Sequence, residues 1–195
     1  PRVKGEKDSV QLLNVAPRQF YALQTGLSDA GTGGARPTHL ALFSAPQAVY
    51  SLTAGSSGDE LRVPLTWSDP ATGVTVTKTF VLRRGQYRID LQYDVENRGT
   101  APWTAASYAQ LLRDDPAVER SMFSVESYAF QGPAYYDGVK YQKLDRTDAE
   151  DRALARDIAG GWIAGMQHHF TTAVVPEAGK SYRYSLQTQG DQYLL

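Results

Sequence analysis

The sequence predicts an all-β chain of antiparallel strands with one or two short helices. Apolar and polar residues alternate strictly through Gln86–Asn97, which is the two-residue period of a strand with one face on a core and the other in water. Turn-forming residues such as Pro70, Gly85 and Gly99 separate short runs of this kind. Many strands joined by short turns are typical of an antiparallel sandwich or barrel.

Length, charge and cysteine content further narrow the class of protein to which the chain can belong. The chain has 195 residues, 20 Lys and Arg against 21 Asp and Glu, and no cysteine. This length suits one domain with its own core, and the balanced charge argues against nucleic-acid binding. The lack of cysteine excludes disulfides, thiolate nucleophiles and sulfur-bound zinc. No stretch approaches the ~20 apolar residues of a membrane span, and a chain that begins at Pro1 is expected to be a piece of a longer protein.

The centre of the sequence predicts a meander. Thr72–Asn97 is predicted to be a long β-hairpin with Gly85 at its turn, because glycine tolerates a positive φ. Apolar residues alternate again in Leu61–Trp67, where Pro64 indicates an edge strand or a bulge since it cannot donate a ladder hydrogen bond. Trp103–Leu112 is predicted to be a fourth strand of the same meander.

The flanks predict shorter elements. Thr147 and Glu150 have the spacing of a capping box, so a helix is expected to start there, continue through Ala155 and end at Gly160. Leu27–Pro37, rich in glycine, is predicted to be a long loop. The remaining strand candidates are Gln19–Gln24, His39–Phe43, Ala48–Thr53, Tyr128–Phe130, Tyr141–Leu144, Trp162–Val175 and Tyr182–Gln187.

Catalytic and metal-binding patterns are weak. Of the three histidines, the adjacent His168 and His169 point to opposite faces of a strand and cannot hold one ion together, and His39 stands alone. Surface or core histidines are therefore the favoured interpretation. No nucleophile elbow, phosphate-binding loop or dinucleotide fingerprint is present. We predict no catalytic, cofactor-binding or metal-binding residue.

Two charged pairs have ordinary structural explanations. Asp114-Asp115, with Glu119 nearby, could serve a glycosidase, but Pro116 makes an exposed turn the simpler interpretation. Arg83-Arg84 is interpreted as a solvated hairpin end and not as an anion site.

One cluster of aromatic residues is a candidate for binding. These side chains could form the floor of a groove for an extended ligand or peptide, although core and edge packing is the more common use of such residues. The candidate groove comprises Tyr128, Phe130, Tyr135, Tyr136 and Tyr141.

Four blocks of residues, in order along the chain, resemble the large periplasmic domain of bacterial YidC membrane protein insertases. Each block alone is a modest signal, and together they are specific. The blocks are Val10–Leu13 with Phe20–Leu27, Thr77–Tyr87 running into Tyr93–Asn97, Phe130–Tyr135 followed by Lys140-Tyr141, and Gly160–Phe170 ending at Val175-Pro176.

The resemblance implies a fold, a location and partners. It implies an antiparallel β-supersandwich of the galactose mutarotase-like kind, with residues 1–195 forming a single periplasmic domain truncated at both ends relative to the family's domain. In the full-length protein this domain would be tethered to the Gram-negative inner membrane, on its periplasmic face. The implied partners are the Sec translocon (SecDF and SecYEG) and nascent membrane proteins, in a non-catalytic role without a cofactor.

Two other functions remain open at this stage. The same fold class includes sugar-binding modules and aldose epimerases, whose chemistry needs a general acid and a general base at the sugar ring. The chain offers few residues for these roles, and fold kinship does not transfer activity. The candidates are His39, His168 or His169 together with Glu126 or Glu119. A plain spacer that holds the insertase at a set height is the third possibility.

Overall fold

The computed structural model describes residues 13–29, 35–52, 58–114, 130–167 and 169–195. The chain divides into two compact units, unit 1 (Pro1–Gln24 and Ala109–Leu195) and unit 2 (Thr25–Tyr108), so that the division falls within two strands. Within the described ranges the structure is built of antiparallel sheets with a single four-residue helix. The predicted fold class, all-β and consistent with a supersandwich, is confirmed.

Thirteen strands and one helix are found in the described ranges. They are β1 (Tyr21–Asp29), β2 (Glu60–Asp69), β3 (Val74–Arg83), β4 (Ile89–Asn97), β5 (Ala105–Asp114), β6 (Gly132–Tyr136), β7 (Tyr141–Lys143), α1 (Ala149–Arg152), β8 (Ala155–Ala159), β9 (Trp162–Met166), β10 (Thr171–Val174), β11 (Ser181–Ser185), β12 (Gln187–Gln189) and β13 (Gln192–Leu194). The strand orders are β1-β5-β13-β12, β10-β9-β6-β7, β11-β8 and β2-β3-β4.

The meander of unit 2 confirms the predicted hairpin and its upstream strand. β3 pairs with β2 on one side and β4 on the other, so that Val76 lies between Trp67 and Val95. Pro64 lies on β2, which ends this sheet in the described part of the chain, as its missing N–H predicted. β4 begins at Ile89, three residues later than the alternation alone indicated.

The predicted fourth strand of the meander exists, but its assignment to the same sheet is wrong. Its residues form β5, but β5 lies between β1 and β13 and does not pair with β4. The chain turns away after β4, where Asn97 Oδ1 accepts a hydrogen bond from the Gly99 N–H at 2.9 Å and its Nδ2 donates to the Ala101 carbonyl at 2.9 Å. Pro102 then follows without an N–H to continue the ladder.

Each unit has its own hydrophobic core. In unit 2 the buried cluster consists of Leu27, Trp67, Val74 and Val76, with Phe43, Tyr93 and Trp103 packed against it. In unit 1 the cluster is larger and includes several tyrosines. Its buried members are Tyr21, Leu111, Tyr135, Leu144, Leu154, Ile158, Ile163, Tyr184, Leu186, Tyr193 and Leu195.

Close packing in unit 1 requires a glycine on β9. A Cβ at Gly165 would lie 2.5 Å from the hydroxyl of Tyr21 and 2.9 Å from that of Tyr193, both well inside van der Waals contact. The Tyr21 hydroxyl donates instead to the Gly165 carbonyl at 3.2 Å. Burial raises the pKa of Tyr21, so this hydroxyl stays protonated and able to donate.

The predicted helix is shorter than expected and has a different cap. Asp148, not Thr147, caps it, because its carboxylate accepts hydrogen bonds from the Glu150 and Asp151 N–H groups at 2.8 and 3.1 Å. The Thr147 hydroxyl donates instead to Asp145 Oδ1 at 2.7 Å. The helix ends at Arg152, and the residues expected to prolong it form β8, which pairs with β11.

Several short strand predictions need adjustment. Trp162–Val175 is a hairpin of two strands, β9 and β10, and not one strand. His39–Phe43 contains a turn, and the described residues of Ala48–Thr53 (48–52) form no strand. Leu27–Pro37 begins inside β1, and residues 30–34 of that predicted loop lie outside the described residues. So do the first two residues of Tyr128–Phe130.

Candidate functional site

The sheet β10-β9-β6-β7 of unit 1 separates two kinds of aromatic side chain. Successive residues of a strand face opposite sides. Tyr135 and Ile163, which are register partners, therefore face the buried core. Tyr136 is paired with Tyr141 on β7 and with Trp162 on β9, so these three residues lie in one row across the opposite face.

The ring of Trp162 contacts both of the other rings in this row. The ring centroids of Tyr136 and Trp162 are 6.2 Å apart with planes inclined by 29°, and those of Tyr141 and Trp162 are 5.8 Å apart. The Tyr136 hydroxyl donates to the Gly138 carbonyl at 2.7 Å. Tyr141 remains 40% exposed, and partial burial raises its pKa. The row is thus held in place on one side and accessible to solvent on the other.

Two lysines flank the row along β7. Lys143 follows Tyr141 by two positions and shares its face, with its ammonium nitrogen 5.0 Å from the ring centroid of Phe130. Lys140 precedes the strand, and a shallow depression of about 340 Å³ is lined by the four residues from Lys140 to Lys143. In the described part of the chain β7 is the last strand of its sheet. We call Tyr136, Tyr141, Lys143 and Trp162 the β7 surface.

The turn between β6 and β7 is fixed by one carboxylate. Asp137 Oδ1 accepts hydrogen bonds from the N–H groups of Val139 at 2.9 Å and Lys140 at 2.7 Å. The Lys140 and Val139 hydrogen bonds hold the pKa of Asp137 below its ordinary value. Val139, at the tip of the turn, is exposed. The turn therefore presents an apolar side chain next to the β7 surface.

The predicted aromatic groove is only partly brought together. Tyr136 and Tyr141 are register partners, Phe130 lies against the ammonium group of Lys143, and Tyr128 lies outside the described residues. Tyr135 belongs to the core, with its ring edge-on to that of Tyr184 at 6.4 Å and its hydroxyl accepting from Arg156 at 3.2 Å. Sequence reasoning missed Trp162, because its place beside Tyr136 follows from the pairing of β6 with β9 and leaves no local signal.

Of the five candidate acid and base residues, His39 and His169 lie in the described part of the chain. His39 donates its backbone N–H to the Tyr108 hydroxyl at 2.9 Å, and its ring Nδ1 lies 2.7 Å from the same oxygen. His169 is exposed, in the turn that follows β9. His168, Glu119 and Glu126 lie outside the described residues. No cluster of metal-ligating side chains occurs among the residues that the structure describes.

Asp114 and Arg83, one member of each charged pair, have structural roles. Asp114, at the end of β5, accepts hydrogen bonds from the Phe20 N–H at 3.0 Å and from Gln192 Nε2 at 2.6 Å, and Asp115 lies outside the described residues. Arg83 forms ion pairs with Glu60, at 2.9 Å, and with Asp90. The hydrogen bond from Arg83 is the main cause of the lowered pKa of Asp90.

Comparison with known proteins identifies relatives along the whole chain. The family model described as the YidC periplasmic domain matches residues 1–195. The protein called Membrane protein insertase YidC of Thioalkalivibrio sulfidiphilus is 39% identical over 86% of this chain and 29% of its own length. The protein of the same name in Methylococcus capsulatus is 38% identical over 91% of this chain and 32% of its own length.

A third protein of the same name, from Nitrosococcus oceani, is 34% identical over 98% of this chain and 34% of its own length. The chain therefore spans about a third of the length of the curated relatives it matches. No helix in the described ranges is long and apolar enough to cross a bilayer.

Proposed function

The chain belongs to the YidC periplasmic domain family, and from that premise we propose that it is the binding domain of a membrane protein insertase and carries out no chemical step itself. The family places it on the periplasmic face of the bacterial inner membrane. Its proposed partners are components of the Sec translocon, SecDF and SecYEG, and segments of nascent membrane proteins.

The β7 surface is the observation that carries this proposal. A row of three contacting aromatic rings, one of them 40% exposed, offers a large contact area at little cost in side-chain entropy. The strand beside it is the last of its sheet in the described residues, so its backbone groups can accept an added strand. Lys140 and Lys143 favour a partner segment that combines apolar with acidic residues.

The proposal of a non-catalytic role is supported by His39. Its backbone N–H and its ring Nδ1 both contact the Tyr108 hydroxyl, and no carboxylate in the described part of the chain orients its ring. An acid–base pair converging on a sugar would need such an arrangement. A mutarotation assay with aldoses tests this directly, and we expect no turnover above the uncatalysed rate.

Binding measurements test the surface itself. We expect the full chain to bind purified SecDF periplasmic loops or an extended membrane-protein segment. Tyr141→Ala should weaken that binding about tenfold, since exposed aromatic residues at the centre of an interface are frequent hot spots. Tyr87→Ala is the matched control, because Tyr87 is an exposed tyrosine of unit 2 outside the β7 surface; its affinity should equal that of the wild type.

Three results contradict the proposal. Absence of binding to either probe at high micromolar concentration argues against a binding domain of this kind. Equal loss in Tyr141→Ala and Tyr87→Ala argues against the β7 surface as the site. Measurable aldose turnover that His39→Ala or His169→Ala abolishes assigns an enzymatic function instead.

A further inference from the structure

The outer edge of β4, in unit 2, has a regular series of backbone groups that no other part of the described chain pairs with. β4 pairs with β3 alone among the described strands. Beyond its end, the Arg98 N–H donates to the Gly73 carbonyl at 3.0 Å. Hydrogen-bonding direction alternates along an antiparallel strand, so the even-numbered residues of Ile89–Asn97 direct their backbone groups to β3. The odd-numbered residues direct theirs away from the sheet.

The two faces of this edge differ in chemistry. The odd-numbered side chains Ile89, Leu91, Tyr93 and Val95 share a face with Val74 and Val76 of β3, as the register shows. The even-numbered side chains lie on the opposite face, and three of the four are carboxylates: Asp90, Asp94 and Glu96. A strand added to β4 would therefore meet apolar side chains on one face and acidic ones on the other.

The apolar face of the meander is buried at Val74 and Val76 of β3 but stays partly exposed along β4 and toward the Ile89 end. Ile89 is 56% exposed and Val95 48% exposed. Toward the Ile89 end, the apolar residues of this face are only partly buried, and none belongs to the unit 2 core: Leu61, Val63, Phe80, Leu82 and Leu91. Scattered exposed apolar residues are ordinary, whereas a contiguous patch marks an interaction surface.

One carboxylate of the acidic face retains its charge for a partner. Asp90 is neutralised by Arg83 and by Arg88, whose Nε lies 2.5 Å from it, and Glu96 pairs with Arg98 at 2.7 Å. Asp94 lies between them, exposed and in no ion pair within the described residues. On the same face Arg62 of β2 pairs with Glu60 at 3.1 Å and donates to Gln92 Oε1 at 2.6 Å. Asp94 is therefore the one carboxylate of β4 that has no arginine partner in the described part of the chain.

We propose that the edge of β4 binds an extended strand of a partner protein in which apolar residues alternate with lysine or arginine. The added strand would bond to the outward backbone groups, place its apolar residues on Ile89 and Leu91, and place a cation opposite Asp94. A second copy of this chain fits poorly, because antiparallel pairing of two β4 strands sets like carboxylates against each other. This site is separate from the β7 surface and does not rest on the function proposed for it.

Hydrogen exchange on the full chain tests the edge directly. The probe is a fluorescein-labelled peptide of nine residues, the length of β4, alternating valine and lysine. In the free protein the amides of Leu91, Tyr93 and Val95 should exchange fast, and those of Gln92 and Asp94 slowly. Saturating peptide should protect the first group and leave the second unchanged. A matched peptide alternating valine and glutamate should bind at least about tenfold more weakly.

Charge reversal tests the acidic face. Asp94→Lys replaces an exposed side chain, so it should fold normally and weaken binding of the valine–lysine peptide about fivefold, while improving that of the valine–glutamate peptide. Asp157→Lys is the matched control, an exposed carboxylate on a strand of unit 1, and should leave both affinities unchanged.

The proposal fails on any of three results. Equal binding of the two peptides removes the charge argument. Peptide binding that leaves the Leu91, Tyr93 and Val95 amides unprotected places the site elsewhere. Protection of those amides that rises with protein concentration and needs no peptide identifies a second copy of the chain as the occupant.

Discussion

The two units bury their apolar residues to very different extents. In unit 1, eleven of the described residues form one buried cluster drawn from several sheets and the segments between them. In unit 2 the corresponding cluster among described residues has four members, although three long strands supply a continuous apolar face. One half of that face is covered by Leu27, Phe43 and Trp103. The other half is left partly exposed around Ile89.

The difference shows what alternation does and does not specify. Val76 and Val95 are register partners on the same face of adjacent strands, yet Val76 is 0% exposed and Val95 is 48% exposed. The two-residue period fixes which side chains share a face. Whether that face becomes a core depends on what packs against it, and those residues are remote in sequence. An alternating strand can therefore be a core element at one end and a binding surface at the other.

Truncating the unit 1 core should have the largest effect. Leu111 is fully buried among the tyrosines of that cluster, so Leu111→Ala should lower the free energy of unfolding by about 2–5 kcal/mol, the range for a leucine that leaves a cavity. Leu82→Ala, on the uncovered half of the meander, should cost less than about 1 kcal/mol. Urea unfolding curves measure both values, and similar losses would mean that the two units are equally well packed.

The valine pair gives a smaller but closely matched contrast within unit 2. Val76→Ala removes two methyl groups from a buried position and should cost about 2 kcal/mol. Val95→Ala removes the same groups from the neighbouring strand on the same face and should cost about 0.5 kcal/mol or less. Equal costs would show that something covers Val95 in solution, which would also count against a free edge at β4.

The meander is the part of the fold that the sequence predicts best. Its strands are long, strictly alternating and joined by turns whose residue types are specific, as at Gly85, where φ is +73°. The errors arise where the position of a strand depends on pairing with strands that are distant in sequence. β5 has an ordinary strand pattern, and its own sequence does not show that β1 and β13 will be its neighbours.

The helix shows that a capping pattern can fail when a neighbouring residue is a better cap. Thr147 and Glu150 have the capping spacing, but the neighbouring Asp148 offers a carboxylate, a stronger acceptor for the first N–H groups. Pairing of β8 with β11 then takes the residues that a helix would have used. The spacing of Thr147 and Glu150 alone predicts neither which residue caps the helix nor whether the residues after Arg152 form a helix or a strand.

The candidate site was predictable only in part for the same reason. Tyr136 and Tyr141 are close in sequence and share a hairpin, so a cluster of aromatics indicated them. Tyr135 differs from Tyr136 by one position, and this places it in the core. Trp162 reaches the row through long-range pairing, which a single sequence does not reveal.

The smallest expected effect concerns the lysine within the apolar face of the meander. Lys78 is 6% exposed, with its ammonium nitrogen 4.3 Å from the ring centroid of Phe43 and donating to the Thr25 carbonyl at 3.3 Å. Burial lowers its pKa from the ordinary 10.5. Between the folded and unfolded pKa values the unfolded chain binds more protons, so this lysine makes the wild type more stable as pH rises.

Comparison with Lys78→Met isolates that contribution. The melting temperature of the wild type, relative to that of the variant, should rise by a few degrees at most as the pH rises toward 10.5, the ordinary pKa of lysine. Lys180→Met is the control of opposite sign, because the hydrogen bond to Glu177 raises the pKa of the exposed Lys180, and its contribution is lost as pH rises through that value. A flat difference for Lys78→Met would mean that its ammonium is solvated, and that this part of the meander face is as open to water as the patch around Ile89.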